Sequence, residues 1–285
     1  MAQLDNKVVL VTGGAHGFGR VLALTLARAG ANIAIADTGR SRQAHQFAVE
    51  PDLDQINGVV KEVEALGRKA MGVLTDVRKG DDCRQMAQKT IDAFGTVDIL
   101  CANAGAFLDD MRPAWELPEA DWDVIFDVNL KGAWLTTKYV VPHMLSRRAG
   151  KIIFTGSPNS LKAEPHYAHY VAAKHGLLGY MKALAIELGP FEINVNAVCP
   201  TQMVDKNRSP RSISRPYWDR VVGHPDATYE EFDRKSGEEN LFDRRGQLDF
   251  ADVAQAVLWL ASDASRAVTG AILPVDNGWS IKHRG

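Results

Sequence analysis

Cysteine is scarce in this chain: only Cys83, Cys101 and Cys199 occur in 285 residues. An odd number spread this widely gives no disulfide framework and no metal-ligand spacing. The three read as reduced core thiols in a cytosol-like compartment. An excess of positive charge is missing too: 33 Lys and Arg stand against 35 Asp and Glu. Nucleic-acid binding needs a basic surplus to neutralise phosphates, so that partner is not expected. No apolar run approaches the roughly 20 residues that span a bilayer, so no membrane partner is expected either. Residues 1–10 lack a basic stretch followed by an apolar one, which argues against a secretory leader and for a cytoplasmic location. Internal repeats and low-complexity tracts are absent. With 46% hydrophobic and 24% charged residues, the composition also excludes a disordered chain.

The length leaves open two domains or one large α/β unit. Short apolar runs at 7–12, 32–37, 71–75, 97–102, 151–155, 193–198 and 271–275 alternate with helical spacing at 19–28, 55–66, 81–94, 121–147, 168–189 and 249–261. Continuous apolar strands separated by helices predict a fold of the α/β class: a single-domain, Rossmann-like, doubly wound parallel sheet of about seven strands with helices on both faces. Two segments exceed the usual short connections. One is 38–54, polar, with Arg40 and Arg42; the other is 201–248, with the aromatics Tyr217, Trp218, Tyr229 and Phe232 and mixed charge. Both are expected as insertions in one domain spanning 1–285.

Thr12-Gly13-Gly14-Ala15-His16-Gly17-Phe18-Gly19 lies between the first strand and the first helix. Glycines allow a tight turn and a close backbone approach to a pyrophosphate, and the helix N-terminus adds free N–H groups. A lone glycine-rich stretch is often just a turn, but this one has the strand–turn–helix context and an acid after the second strand. That acid, Asp37, suits ribose hydroxyls and would repel the extra phosphate of NADP. His16 is no fixed positive charge at neutral pH. NAD is therefore expected over NADP, although Arg40 and Arg42 offer charge of the other preference. An ordinary helix cap is the plain alternative for Asp37.

Tyr170-Val-Ala-Ala-Lys174 puts a phenol and an ammonium on one helix face. Alone, the pair is as common as any surface aromatic beside a lysine. Ser157, however, sits 13 residues upstream, just past the fifth strand. Parallel sheets bind ligands at the C-terminal ends of their strands, so the three groups would converge beside a dinucleotide.

These residues resemble the short-chain dehydrogenases/reductases along almost the whole chain. The turn from Thr12 to Gly19 matches the family's Thr-Gly-x-x-x-Gly-x-Gly signature. Cys101-Ala102-Asn103-Ala104-Gly105 resembles its Asn-Asn-Ala-Gly motif, with Ala102 replacing the first Asn. Asn129, Ser157, Tyr170 and Lys174 match its catalytic residues. Leu260-Ala-Ser-Asp263 and Val275-Asp276-Asn277-Gly278 resemble its C-terminal elements. The resemblance implies cofactor contacts by Gly13, His16, Gly17, Phe18, Gly19, Asp37, Asp76, Val77, Asn103, Ala104, Gly105, Tyr170, Lys174, Pro200 and Thr201. Asp76 would contact adenine; its plain alternative is a cap for the next helix. Within the family the chain is most similar to the carveol-dehydrogenase-like group, through the insertion after Asp37, the run from His169 to Gly176 and Cys199-Pro-Thr201. That similarity implies a homotetramer, a tightly held NAD and a link to the redox cofactor mycofactocin. Two departures stand out. Asp205 occupies the position of a nicotinamide-contacting Thr, and Asn277-Gly278 replaces a Gly-Gly pair.

The expected reaction takes a secondary alcohol, ring-containing or terpenoid-like, to its ketone, with Tyr170 as general base. A free phenol titrates near 10, and a cation beside it lowers that value; a drop of about 3 corresponds to ~4 kcal/mol. Lys174 supplies the cation, Ser157 orients the substrate oxygen, and Asn129 anchors a proton-relay water. No metal is expected, because the histidines lack ligand spacing. Substrate contacts are expected from His166, Tyr217 and Trp218. The competing readings are an NAD(P)H-dependent carbonyl or 3-oxoacyl reductase and, outside enzymes, a cofactor-sensing binding protein. A hydrolase is disfavoured, since Ser157 sits in no Gly-x-Ser-x-Gly elbow.

Overall fold

A computed structural model describes residues 3–39, 53–108, 112–204, 215–242 and 246–282. The strands are β1 (Val8–Thr12), β2 (Asn32–Asp37), β3 (Ala70–Leu74), β4 (Ile99–Ala102), β5 (Gly150–Thr155), β6 (Ile193–Pro200), β7 (Met203–Val204), β8 (Leu248–Asp249) and β9 (Ile272–Val275). The helices are α1 (Gly17–Arg28), α2 (Leu53–Glu64), α3 (Gly80–Phe94), α4 (Glu119–Phe126), α5 (Gly132–Arg147), α6 (Ala168–Leu188), α7 (Arg215–Val222), α8 (Tyr229–Glu238) and α9 (Phe250–Ala261).

Seven strands form one sheet in the order β3-β2-β1-β4-β5-β6-β9, every pair parallel. The apolar runs are continuous because both faces are covered. Successive side chains of a strand point to opposite faces. Val9 and Val11 accordingly pack with Leu22 and Leu26 of α1 and with Val253 and Val257 of α9. Leu10 packs instead with Leu100, Phe154 and Met181 on the other side. The chain order reverses between β1 and β4, and a doubly wound sheet opens its ligand crevice at such a reversal.

Three features differ from the sequence reading. The 38–54 insertion is shorter at its far end, because α2 begins at Leu53; residues 40–52, with Arg40 and Arg42, lie outside the described residues. The 201–248 segment is not simply a loop. It carries α7 and α8, and a parallel pair closes its base, with Met203 opposite Leu248 and Val204 opposite Asp249. The helix expected over 121–147 is interrupted by a π turn at Asp127–Lys131. Hydrophobic spacing reveals a helix but not one extra residue in a turn.

Candidate active site

The glycine turn follows directly from the end of β1. Gly13 has φ +65° and Gly17 φ +52°, a left-handed backbone that side-chain-bearing residues rarely adopt. A Cβ on Gly19 would stand 1.9 Å from the Gly13 carbonyl oxygen. The N-cap of α1, His16, makes no side-chain cap bond, and the first turn carries no acid, so the positive end of the helix dipole meets the turn. Beside it, Asp37 is 5% exposed. Its carboxylate accepts from Ala15 N and Gly39 N, both at 2.9 Å, and lies 3.6 Å from His16 Nδ1. It caps no helix. A turn crowded at Gly13 and Gly19 and left-handed at Gly13 and Gly17, an open helix end and a buried acid fit a dinucleotide: phosphates at the turn, ribose hydroxyls at Asp37.

Two residues expected at the cofactor bury their side chains. The Phe18 ring is buried in the core, 6.0 Å from the Phe250 ring, and Val77 packs against Cys83 and Leu135. Each has only its backbone to offer a ligand. Asp76 does not cap α3, whose N-cap is Lys79. Arg78 Nε reaches its two carboxylate oxygens at 2.9 and 3.1 Å. Burial alone would raise the Asp76 carboxyl, but the hydrogen bonds and charge of Arg78 outweigh it and hold it below the usual carboxylate value.

Hydrogen bonds bridge the ends of β1, β4 and β5. Thr12 Oγ1 accepts from Asn103 N at 3.0 Å and Ala104 N at 3.1 Å. Asn103 Nδ2 donates back to the carbonyls of Thr12 at 3.0 Å and Gly13 at 3.2 Å. Thr155 Oγ1 donates to Asn103 Oδ1 at 3.1 Å, and Lys174 Nζ donates to the Thr155 carbonyl at 2.9 Å. Asn129 lies in the π turn, an irregularity frequent at functional sites. Its side chain donates to the carbonyls of Ala106 at 2.9 Å and Ile125 at 3.0 Å. A Cβ on Gly105 would lie 3.1 Å from Asn129 Oδ1 and 3.7 Å from Lys174 Nζ, so both side chains converge on that glycine.

On α6, Lys174 is buried and its Nζ lies 5.7 Å from the centre of the Tyr170 ring. Ser157 follows β5 and is 6% exposed. Its Oγ accepts from Asn159 N at 3.2 Å, which directs the lone pair into the local turn and leaves the hydroxyl proton for a ligand. The structure also assembles what sequence reading overlooked. Phe107, half exposed, sets its ring edge-on to Tyr170 at 5.0 Å and lies 5.1 Å from Tyr167. Its signal was the position two residues past Gly105. Thr155 and its hydroxyl bond had no signal beyond the end of a strand.

His166 stands just before α6, exposed and at φ +70°, an unusual conformation for a side chain of its size. His169 is buried. Among the described residues no group of three His, Cys, Asp or Glu side chains could hold a metal ion. The three thiols are buried, and burial pushes Cys83 and Cys101 up to about 12 and raises Cys199. They are inert core residues.

Over the cleft end of the sheet, Thr228 and Glu231 form a reciprocal cap for α8. Trp218 stacks on Phe232 at 5.7 Å and lies 5.6 Å from Tyr229, so its ring serves the insertion's own packing. The side chain of Tyr217, and Asp205, lie outside the described residues. Pro200 ends β6, and Thr201 N donates to the Val275 carbonyl at 3.3 Å. Asn277 at φ +52° precedes Gly278 at φ +80°. Asn tolerates the left-handed region better than most residues, which explains why it can replace a glycine here. The Asn277 carbonyl accepts from Leu241 N at 2.9 Å, and Trp279 Nε1 donates to Glu239 at 3.2 Å. Lys282 Nζ donates to the carbonyl of Asn240 at 2.8 Å, and Lys162 Nζ donates to that of Lys282 at 3.3 Å. The C-terminal segment thus ties the insertion to the loop between Ser157 and Tyr170.

Known proteins are similar to this chain. The (−)-trans-carveol dehydrogenase of Rhodococcus erythropolis is 35% identical over 99% of this chain and 100% of its own. The 3-oxoacyl-[acyl-carrier-protein] reductase of Staphylococcus epidermidis is 33% identical over 96% of this chain and 98% of its own. The crystal structure of carveol dehydrogenase from Mycobacterium avium in complex with NAD superposes with a TM-score of 0.91 at 33% identity, covering 99% of this chain and 100% of that one. The sequence pattern of the short chain dehydrogenases matches residues 7–212. Fold, glycine turn and sequence agree: the chain belongs to the short-chain dehydrogenase/reductase family.

Proposed function

We propose that this protein is an NAD-dependent dehydrogenase of a secondary alcohol carried on an apolar ring, working through Tyr170. One observation carries the reading: Lys174, buried and bonded to the end of β5, lies beside the Tyr170 ring at the mouth of the dinucleotide crevice. Gly13, Gly17 and Gly19 would hold the phosphates of NAD, Asp37 its adenosine ribose, and Tyr170 with Lys174 the nicotinamide ribose. Bound NAD would supply the hydride acceptor. Tyr170 Oη takes the proton of the substrate hydroxyl in oxidation and returns one to the carbonyl in reduction. The Lys174 ammonium favours the phenolate that this step needs. Ser157 Oγ donates to the substrate oxygen and stabilises the charge developing there. Asn129 holds the Ala106 loop where a relay water would pass the proton outward.

An apolar ring substrate is supported by Phe107, which contacts the rings of both Tyr167 and Tyr170, and by similarity to two carveol dehydrogenases. The same similarity supports coupling to mycofactocin for reoxidation. Residues 1–285 are read as one domain, with the insertion 201–248 as a substrate lid. Exposed Trp122, Trp134 and Ile186 on α4, α5 and α6 favour a homotetramer, and three reduced thiols a cytoplasmic location.

The test is absorbance at the reduced-nicotinamide band with a panel of cyclic secondary alcohols, carveol included, and NAD or NADP. Turnover with NAD and a ring alcohol is expected. The similarity to 3-oxoacyl reductases favours a second reading, reduction of a 3-oxoacyl thioester with NADPH. The buried Asp37 carboxylate opposes it, and faster turnover of that thioester than of any ring alcohol would reverse the assignment.

A further inference from the structure

We propose that Thr155 is a positioning residue that couples occupancy of the dinucleotide turn to the placement of Lys174. The inference rests on the dehydrogenase reading above only for its kinetic readout. Thr155 is the last residue of β5, and its two polar groups face different partners. Its hydroxyl donates to Asn103 Oδ1 at 3.1 Å, while its carbonyl accepts from Lys174 Nζ at 2.9 Å. Asn103 spends both amide hydrogens on the turn, on Thr12 O and Gly13 O at 3.0 and 3.2 Å. A Cβ on Gly13 would stand 2.9 Å from the Ala104 Cα, so turn and β4 loop are already in close contact. The chain of contacts runs from the phosphate turn through Asn103 and Thr155 to the lysine, across β1, β4 and β5.

Strand preference alone accounts for a β-branched residue here but not for the hydroxyl. Removing the hydroxyl leaves Asn103 Oδ1 without its donor. An amide that has lost one partner is free to rotate, and the carbonyls it pins at Thr12 and Gly13 lose their constraint. The strand end that presents the Thr155 carbonyl to Lys174 loses its tie in the same change. One substitution should therefore move two properties that a purely local packing role would leave alone.

The experiment compares Thr155→Val and Thr155→Ser with the wild-type protein by NAD titration calorimetry and by the pH dependence of alcohol oxidation. Val keeps shape and removes the hydroxyl; Ser keeps the hydroxyl. Thr155→Val is expected to bind NAD about tenfold more weakly, equivalent to about 1.4 kcal/mol. Its activity should rise with pH about half a pH unit or more later, because a displaced ammonium favours phenolate less. Thr155→Ser should restore both. If Val proves too poorly folded, Thr155→Ala removes the same hydroxyl without added bulk and takes its place. Wild-type NAD affinity in the hydroxyl-free variant, an unmoved pH limb, or failure of Ser to restore would each overturn the proposal. A wild-type protein that binds NAD but oxidises no alcohol would count against the dehydrogenase reading instead, and the calorimetric comparison would still decide the coupling.

Discussion

The dinucleotide half of the molecule and the 201–248 insertion are built on different principles. At the first, three strand ends are locked by short-range bonds: Thr12 to Asn103 and Ala104, Asn103 to Thr155, Thr155 to Lys174. Gly19 there admits no side chain, because a Cβ on it would collide with the Gly13 carbonyl. The insertion hangs from a two-residue parallel pair and is held at its far side by the C-terminal segment through Asn277, Trp279 and Lys282. The difference teaches where variation is tolerated. A cofactor common to many enzymes requires fixed groups, whereas specificity resides in segments that can change without disturbing the sheet.

The strongest way to sharpen the contrast is Tyr170→Phe. Losing a proton-transfer group typically costs 10²–10⁴-fold, so turnover should fall about a thousandfold while NAD affinity, read by calorimetry, falls less than about tenfold, the loss of one ribose hydrogen bond. Near-normal turnover would remove the acid–base assignment. Gly19→Ala attacks the rigid half. Its methyl cannot coexist with the Gly13 carbonyl, and overpacking of about 1–3 kcal/mol should weaken NAD binding roughly 10–100-fold. A variant with intact affinity would mean the turn is less constrained than its contacts indicate.

The insertion should respond in a different quantity. Trp279→Phe deletes the bond to Glu239 and keeps an aromatic ring in the buried site. Loss of one such bond, about 1 kcal/mol, should raise KM for the alcohol severalfold and leave NAD affinity unchanged. Equal changes in both would dissolve the distinction between the two regions. The smallest effect is expected at Asp76. Arg78 lowers the Asp76 carboxyl in the folded protein, so this pair adds stability above the unfolded value near 4 and loses it as pH falls through the folded one. Asp76→Asn should therefore lower stability slightly at neutral pH and converge on the wild type below about pH 4, which flattens the acid arm of the unfolding profile. A parallel downward displacement at every pH would contradict that origin.

Much of the site was legible because family signatures and local spacing coincide. The i, i+4 spacing of Tyr170 and Lys174 fixes their shared helix face, and Gly13, Gly17 and Gly19 declare a turn that side chains would obstruct. The match of Asn129 to the family pattern was legible, but its π turn was not, since five residues carry too weak a periodicity to reveal one extra backbone step. The partnership of Asp76 with Arg78 was equally hidden, although only two residues separate them, because any of several rotamers satisfies the sequence.

By itself, the sequence determined the alternation of strands and helices, the parallel sheet and which residues are proposed to react. These follow from local periodicity and from residue chemistry, which need no knowledge of distant contacts. Only the tertiary structure decided that Phe18 and Val77 turn their side chains to the core, that Phe107 joins Tyr170, and that the insertion is helical and tied to the C-terminal segment. Each of these depends on which elements meet across the sheet, and such meetings are set by packing between residues far apart in the chain.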